Sequence, residues 1–267
     1  MAVPIFAPVP ADWPATEEHA RAVQRELRGR VVLDEPGPPP GTGRVTGVDV
    51  AYDDERDVVV AAAVVLDAAT LTVVEEATAA GPVAFPYVPG LLAFRELPAV
   101  LAALDSLAGD PGLVVCDGYG RAHPRRFGLA SHLGVLTGLP ALGVAKNPFT
   151  FSCADPPAAR GSTSPLLDGG EVVGRALRTQ DGVRPVFVSV GHRVDLETAC
   201  AHTLRLAPRF RLPESTRHAD ALCRRALRAA TLHQPRAPGH PPVPWGKPPE
   251  PGDGPGSTPE ARERSQN

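Results

Sequence analysis

Acidic side chains recur within or beside apolar runs, where a carboxylate is costly unless it has a partner. Asp49 lies inside the strand-like segment VTGVDVAY, and Asp117 follows the apolar run Leu113–Cys116 and precedes a glycine-flanked turn. Glu96 and Asp220 are further acids at the edges of predicted elements. Mg²⁺ prefers oxygen ligands, usually one or two carboxylates together with phosphate oxygens of a substrate. These acids therefore indicate metal-assisted hydrolysis of a phosphodiester.

Basic and aromatic side chains accompany the acids. Lys146 ends the next apolar run, where it would place a point charge on a phosphate. Tyr87 is held between two prolines in FPYVPG, and a rigid tyrosine of this kind could wedge into a base stack. The turn after Asp117 leads into a cationic cluster that could contact phosphates or form a solvated helix start. The cluster comprises Arg121, His123, Arg125 and Arg126.

Each of these residues also has an ordinary structural interpretation. Asp49 could be a strand-edge aspartate that faces solvent, and Asp117 could belong to a plain strand-to-loop turn. Lys146 could be a common strand-exit lysine, and Tyr87 could pack on the domain surface. Glu96 and Asp220 are weak candidates when each is considered alone.

The composition bounds the class of protein. The chain has 267 residues, 43% of them hydrophobic, and a net charge of −3, so a core is available and general polyanion binding is not expected. The four cysteines form no CxxC pair and no signal peptide precedes them, which predicts reduced thiols in a cytoplasmic protein. The longest apolar run, Val58–Leu66, is too short to cross a bilayer, so no membrane partner is expected.

The elements that must position the candidate residues follow an α/β pattern. Three strand-like segments joined by short turns predict an antiparallel meander: Arg44–Tyr52, Val58–Leu66 and Leu71–Ala77. A helical stripe follows, and the next strand, Leu113–Cys116, should be parallel to its neighbour. The segment Phe85–Glu96 is expected to be a loop, and Pro98 predicts a helix start or a kink beside Glu96.

The remaining segments complete one α/β domain with helices on both faces of a mixed sheet. Further strands are predicted at Ala141–Ala145, Glu171–Arg178 and Pro185–Val190, and residues 147–170 receive no assignment. Helices are predicted after Thr16, over Phe127–Leu136, after Asp195 and from Pro213 to about His233. We divide the chain into a loose lead-in (1–12), a single domain (13–233) and a disordered tail rich in proline and glycine (234–267).

Over roughly residues 16–230, the chain resembles the endonuclease V, or deoxyinosine 3′ endonuclease, family. The matching segments are VTGVDVAY, PYVPGLLAFRELP, VVCDGYGRAHPRRFGLASHLG, LGVAK, GHRVDLETA and RLPESTRHAD. The resemblance implies an RNase H-like fold, which agrees with an antiparallel meander joined to parallel strands. It also implies Mg²⁺-dependent, or Mn²⁺-dependent, cleavage of DNA at the second phosphodiester bond 3′ to deoxyinosine, and some members cut inosine-containing RNA. The expected products carry a 3′-hydroxyl and a 5′-phosphate, and the protein is expected to be a monomer.

The resemblance also implies roles for the acids and the lysine. Asp49 and Asp117 would be the principal metal ligands, and Glu96 would complete the acidic cluster. Asp220 would lie beside the metal, and Lys146 would approach the scissile phosphate.

Other matched positions would contact the substrate. His123 would lie near the same phosphate, and Tyr87 would fill the gap that a flipped lesion leaves. Main-chain groups at the base pocket would read the hypoxanthine edge; this pocket would be lined by Gly90, Leu92 and Gly118.

Two residues depart from the family pattern, and two other functions stay open. Tyr119 stands between the glycines of the turn where relatives often have a small or polar residue, and Asn147 follows Lys146 where a second lysine is common. Another RNase H-like nuclease, such as a junction resolvase or an RNase H-type enzyme, would share the carboxylates but lack the PYVP segment. A non-catalytic binder of inosine-containing nucleic acid would not need all four acids.

Overall fold

The computed structural model describes residues 5–6 and 10–232, and the strands of these residues form one nine-stranded sheet. The strands are β1 (Ile5–Phe6), β2 (Arg44–Asp53), β3 (Val58–Asp67), β4 (Val73–Gly81), β5 (Leu113–Asp117), β6 (Ala141–Ala145), β7 (Thr163–Asp168), β8 (Glu171–Leu177) and β9 (Val186–His192). The helices are α1 (Glu17–Arg28), α2 (Leu92–Asp105), α3 (Leu129–Thr137), α4 (Leu196–Leu206) and α5 (Glu214–Thr231). The predicted tail lies outside the described residues, and the division of the chain stays a prediction.

The sheet is mixed, as predicted, and its order is β1-β4-β3-β2-β5-β6-β9-β8-β7. Strands β2, β3 and β4 form the antiparallel meander, while β5 is parallel to both β2 and β6. Helices α2 and α3 share a hydrophobic cluster with one face of the sheet, and α4 and α5 share another with the opposite face. The predicted RNase H-like arrangement is therefore confirmed.

The sequence of β3 explains its central position in the meander. This strand is a continuous apolar run, and its residues from Val60 to Leu66 are fully buried. A strand that helices cover on both faces has no solvent side, so it does not need polar alternation. The short strand β1 pairs in parallel with the outer edge of the meander, at Ala79 and Ala80 of β4.

Helix α2 begins earlier than the sequence predicted. The expected loop over Phe85–Glu96 is wrong in its last part, because the helix starts at Leu92 and runs through Pro98 without ending there. A proline lacks the N–H that would bond the carbonyl four residues before it, here that of Phe94. The indole Nε1 of Trp13 donates to this carbonyl at 2.8 Å, so the group has a partner. Glu96 therefore lies inside the helix and not before its start, and the alternative of a kink at Pro98 stays a prediction.

Strand β7 was not predicted, although its sequence carries a signal. Its residues alternate between exposed and buried, and it pairs with β8 in an antiparallel hairpin. The two-residue turn is Gly169-Gly170, with φ of 60° and 81°. Two consecutive residues with positive φ are typical of the type I′ hairpin turn, which a Gly-Gly pair between strands indicates.

In the described residues, no helix is both long and apolar enough to span a membrane.

Candidate functional site

The parallel pairing of β2 with β5 brings the two predicted metal ligands together. Val48 pairs with Cys116, so Asp49 and Asp117 occupy equivalent positions immediately after this pair. Neighbouring strands lie about 4.8 Å apart, and residues at equivalent positions of parallel strands share a face. A Cβ on Gly47 would collide with the backbone of Ser215 in α5, so the odd-numbered residues of this part of β2 face α5. Asp117 ends β5 and Asp49 lies in the middle of β2, just beyond the last pair of the two strands, and both aspartates lie on the α5 side of the sheet.

Two of the predicted acids, Asp49 and Glu96, have a raised pKa. Burial, followed by the charge of Asp117, raises the pKa of Asp49 to about 7. The hydrogen bond that Asp49 accepts from the Val50 N–H (2.8 Å) opposes this rise. Burial also raises the pKa of Glu96 to about 8, with Asp49 and Asp117 adding to it. We call Asp49, Glu96, Asp117 and Asp220 the acid group. Carboxylates that hold protons at neutral pH because they are buried together favour a bound cation.

Lys146 and Asp220 complete the surroundings of the two aspartates. The Lys146 ammonium donates to the Asp117 carboxylate; burial alone would lower the pKa of Lys146, but Asp117 raises it. Asp220 extends from α5 and accepts a hydrogen bond from Arg224 Nε at 2.7 Å, while its charge contributes to the raised pKa of Asp49. Of the six predicted catalytic residues, the structure therefore brings Asp49, Asp117, Lys146 and Asp220 together. Glu96 extends from α2 on the other face of the sheet, where the charges of Asp49 and Asp117 still act on it, and His123 lines the cavity described below.

The residues present fit a magnesium ion. In the described part of the chain, no group of three or more His, Cys, Asp and Glu side chains is arranged to hold a metal ion. Mg²⁺ does not require such a cage, because it usually binds through one or two carboxylates and completes its coordination with water and phosphate oxygens. Asp49 and Asp117 are two neighbouring carboxylates whose oxygen chemistry suits a hard cation, and binding of Mg²⁺ by them stays a prediction.

A cavity of about 210 Å³ lies beside the turn that follows Asp117. We call it the base pocket, since it is lined by Tyr87, Gly90, Leu92, Gly118 and His123, the five residues that the resemblance places at the substrate base or its phosphate. Tyr87 stands at this pocket with 65% of its surface exposed, so it is not packed into the domain surface. The remaining lining residues are Gln24, Val88, Pro89, Ala93, Tyr119, Gly128, Leu129 and Phe149.

His123 belongs to the wall of the base pocket and is neutral. Its Nε2 lies 3.0 Å from the Gly90 carbonyl oxygen, which only accepts, and its Nδ1 accepts from the Arg125 N–H at 3.2 Å. This pair of contacts requires the tautomer with one proton, on Nε2. Burial, followed by the charge of Arg125, lowers the pKa of His123 to about 4. A phosphate contact by His123 stays a prediction.

The arginines of the cationic cluster have partners within the protein. Arg126 donates to Asp168 and to Glu171, each at 2.6 Å, and Arg121 also donates to Glu171. Arg125 donates to the Gly90 carbonyl at 2.7 Å. These contacts fasten the turn to the β7–β8 hairpin and to the base pocket. The arginines are therefore not merely a solvated helix start, and a contact between the cluster and phosphates stays a prediction.

Tyr52 and Arg95 support the acid group, and sequence reasoning missed both. The Tyr52 hydroxyl donates to Glu96 Oε1 at 2.9 Å, and the Arg95 guanidinium lies 4.4 Å from the centre of the Tyr52 ring. Arg95 forms its ion pair with Asp54 and not with its neighbour Glu96. The sequence offered no direct signal for Tyr52, because it lies three residues after Asp49 on the same predicted strand and therefore faces the other side of the sheet.

The two residues that depart from the family pattern contact each other. The Tyr119 hydroxyl donates to the Asn147 carbonyl oxygen. The Tyr119 ring stacks on Phe149, with ring centres 5.8 Å apart and an angle of 21° between the planes. Phe149 is 42% exposed and lies in the segment that received no assignment from the sequence. Tyr119 and Phe149 therefore form one aromatic side of the base pocket, and Asn147 contributes only its main-chain carbonyl to this contact.

The sheet and its paired aspartates place the protein among RNase H-like nucleases. Within this class, the comparison with protein families is specific: the model of the endonuclease V family matches residues 25–221. The chain belongs to the endonuclease V family, so the resemblance found in the sequence is confirmed.

Individual relatives cover most of the chain. Endonuclease V from Streptomyces avermitilis is 80% identical over 223 residues, which make up 84% of this chain and 97% of that protein. The crystal structure of endonuclease V from the same organism superposes with a TM-score of 0.83 and 79% identity, covering 85% of this chain and 99% of that one. Endonuclease V from Ciona intestinalis, solved with a 24mer DNA containing an inosine followed by a ribo-adenosine, gives a TM-score of 0.68 and 27% identity, covering 80% and 98%.

Proposed function

We propose that this protein nicks DNA at the second phosphodiester bond 3′ to deoxyinosine, in a reaction that requires Mg²⁺ or Mn²⁺. The observation that carries the proposal is the position of the base pocket, whose Gly118 directly follows Asp117 of the acid group. A base held in this pocket would bring the adjoining backbone close to the two aspartates. The complex of the Ciona relative with inosine-containing DNA supports deoxyinosine as the lesion.

The acid group and Lys146 would divide the chemistry between them. Asp49 and Asp117 would hold the metal ion, which activates water and neutralises charge that develops on the phosphate. Glu96, fixed by the Tyr52 hydroxyl, would orient the attacking water or hold a second ion. Lys146 would stabilise the transition state electrostatically. Hydrolysis then needs no protein nucleophile and leaves a 3′-hydroxyl and a 5′-phosphate.

The base pocket would select the lesion. Extruding a base costs a few kcal/mol, and less for a mispaired inosine than for a sound pair, which favours damaged sites. Tyr87, exposed beside the pocket, would occupy the gap in the base stack. We further propose that the protein acts in DNA repair and as a monomer.

Cleavage of inosine-containing RNA is a second candidate activity. It is favoured by the Ciona complex, in which the nucleotide after the inosine is a ribo-adenosine. An end-labelled single-stranded RNA with one inosine, compared with the same RNA containing adenosine, tests it. Cleavage beyond the inosine supports the activity, and an intact inosine strand under conditions where the DNA is nicked rules it out.

The test of the main proposal uses purified protein and end-labelled duplexes that differ only in one deoxyinosine. Each duplex is incubated with Mg²⁺ or with EDTA. We expect one nick, at the second bond 3′ to the lesion, in Mg²⁺ only. Preferential cleavage of an unmodified hybrid or a four-way junction would instead identify another RNase H-like nuclease. Tight binding to the inosine duplex without any nick would identify a non-catalytic binder.

A further inference from the structure

The side chain of Gln24, in α1, has hydrogen-bond partners for both its nitrogen and its oxygen. Gln24 directly precedes the segment that the family model matches. It is 1% exposed, although glutamine is seldom buried. Its Nε2 donates to the Gly90 carbonyl at 3.0 Å and to the Phe127 carbonyl at 3.1 Å, and its Oε1 accepts from Arg125 Nε. One amide group therefore joins α1 to two separate loops of the protein.

The first of these loops carries one wall of the base pocket. The Gly90 carbonyl receives three donors, from Gln24, from Arg125 at 2.7 Å and from His123 at 3.0 Å. A carbonyl oxygen has two lone pairs, so this one is saturated and its role is to fix the peptide plane. Gly90 has a φ of 79°, and a Cβ at this position would lie 2.8 Å from the Arg125 guanidinium. The wall is thus held in one position by its hydrogen bonds.

The second loop carries the opposite wall. Phe127 precedes Gly128 and Leu129, which both line the base pocket and lead into α3. Gly128 packs so closely on the turn after Asp117 that a Cβ would lie 2.4 Å from the Tyr119 carbonyl oxygen. The Gln24 amide reaches from this wall to the Gly90 wall, and Gln24 itself lines the pocket between them.

We propose that Gln24 is a positioning residue that sets the distance between the two walls of the base pocket and thereby the selectivity for inosine. This inference rests on the proposed function. The amide is suited to the task because its NH₂ group supplies two donors to two carbonyls while its oxygen accepts from Arg125. Leucine has a similar volume and offers none of these contacts, glutamate replaces both donors with acceptors, and asparagine keeps the amide on a shorter side chain.

The experiment measures binding of full-length protein to labelled single-stranded oligonucleotides with one deoxyinosine or one deoxyadenosine, by fluorescence anisotropy in EDTA. Selectivity is the ratio of the two dissociation constants. We expect Gln24→Leu and Gln24→Glu to lower this ratio about tenfold, since small displacements in a specific site have effects of this size or larger. Affinity for the deoxyadenosine strand should be unchanged. Gln24→Asn should lower the ratio less and is the variant to use if the others do not fold.

Gln180 provides a matched control, because its Nε2 also donates to two backbone carbonyls, those of Ala207 (2.8 Å) and Phe210 (3.1 Å), away from the pocket. Gln180→Leu should leave the ratio at the wild-type value. Wild-type selectivity in Gln24→Leu and Gln24→Asn, or an equal loss in Gln180→Leu, would overturn the inference alone. A wild-type protein with no preference for inosine would overturn the proposed function and this inference with it.

Discussion

The acid group and the base pocket are adjacent but differ in how their polar groups are satisfied. In the acid group, like charges are buried together, and the pKa values of Asp49 and Glu96 rise to about 7 and about 8. In the base pocket, the Gly90 carbonyl alone accepts hydrogen bonds from three side chains, and His123 uses both ring nitrogens. The pocket is therefore formed before a ligand arrives, whereas in our proposal a cation completes the acid group.

The largest expected effect is the loss of cleavage in Asp117→Asn. This change removes one of the two carboxylates that face each other on β2 and β5. We expect kcat to fall by about 10³-fold or more, while affinity for inosine DNA stays near the wild-type value because the base pocket is intact. Single-turnover nicking and anisotropy measure the two quantities. Wild-type turnover in this variant would remove Asp117 from the metal site.

Lys146→Met should have the next largest effect on cleavage. The ammonium group that contacts Asp117 is lost, and with it the proposed stabilisation of the scissile phosphate. Removing one such stabilising group typically lowers kcat about 10²-fold. We expect KM to change little, and Lys146→Arg to recover part of the rate. A variant whose KM rises while kcat is retained would show that Lys146 binds substrate rather than the transition state.

Asp49→Asn should stabilise the protein in the absence of metal. An acid whose folded pKa is raised from 3.8 to about 7 contributes stability below its unfolded pKa, and this is lost as pH rises through 7. At pH 8 the buried charge of Asp49 therefore destabilises the wild-type protein, and the Asp49→Asn variant has no such charge. Allowing for solvent screening, we expect the free energy of unfolding in EDTA to rise on the order of 2 kcal/mol. Urea titrations at pH 8 and pH 4 measure it, and a gain of equal size at both would contradict the assignment.

Tyr52→Phe should have the smallest of these effects. It removes the hydroxyl that holds Glu96 and leaves the ring beneath Arg95. Loss of a group that orients a metal-site carboxylate typically lowers metal affinity about tenfold, so the Mg²⁺ concentration for half-maximal rate should rise by that factor. Tyr119→Phe is the control, since its hydroxyl bonds Asn147 outside the acid group. An equal change in both variants would mean that neither hydroxyl acts through the acids.

The acid group could be predicted from the sequence because its signals are local. Asp49 and Asp117 each stand in or at the end of an apolar run, and the order of elements predicts that their strands are parallel. Adjacent parallel strands then place the two carboxylates side by side on one face of the sheet. The meander was predicted for the same reason, since its strands follow one another through short turns.

The contacts that complete both regions join residues far apart in the chain, and no local pattern specifies them. Trp13 donates to the Phe94 carbonyl, which Pro98 leaves without its helical partner, and the two bonded residues are 81 positions apart in the chain. Gln24 and the Phe127 carbonyl that it contacts are 103 positions apart. Arg121 and Arg126 form ion pairs with Asp168 and Glu171 of the β7–β8 hairpin, whose first strand the sequence did not predict. A sequence shows which residues are charged but not which charges are already neutralised.

The acid group and the base pocket differ most in the metal ion that we propose the acid group to hold. Calorimetric titration of Mg²⁺ into the protein at pH 6, repeated in buffers of different ionisation enthalpy, counts the protons that binding releases. Because Asp49 and Glu96 titrate at about 7 and about 8, we expect between about one and two protons to be released at pH 6 and almost none at pH 9. Asp49→Asn should release fewer. Binding at pH 6 without proton release, or with release that Asp49→Asn leaves unchanged, would contradict the account.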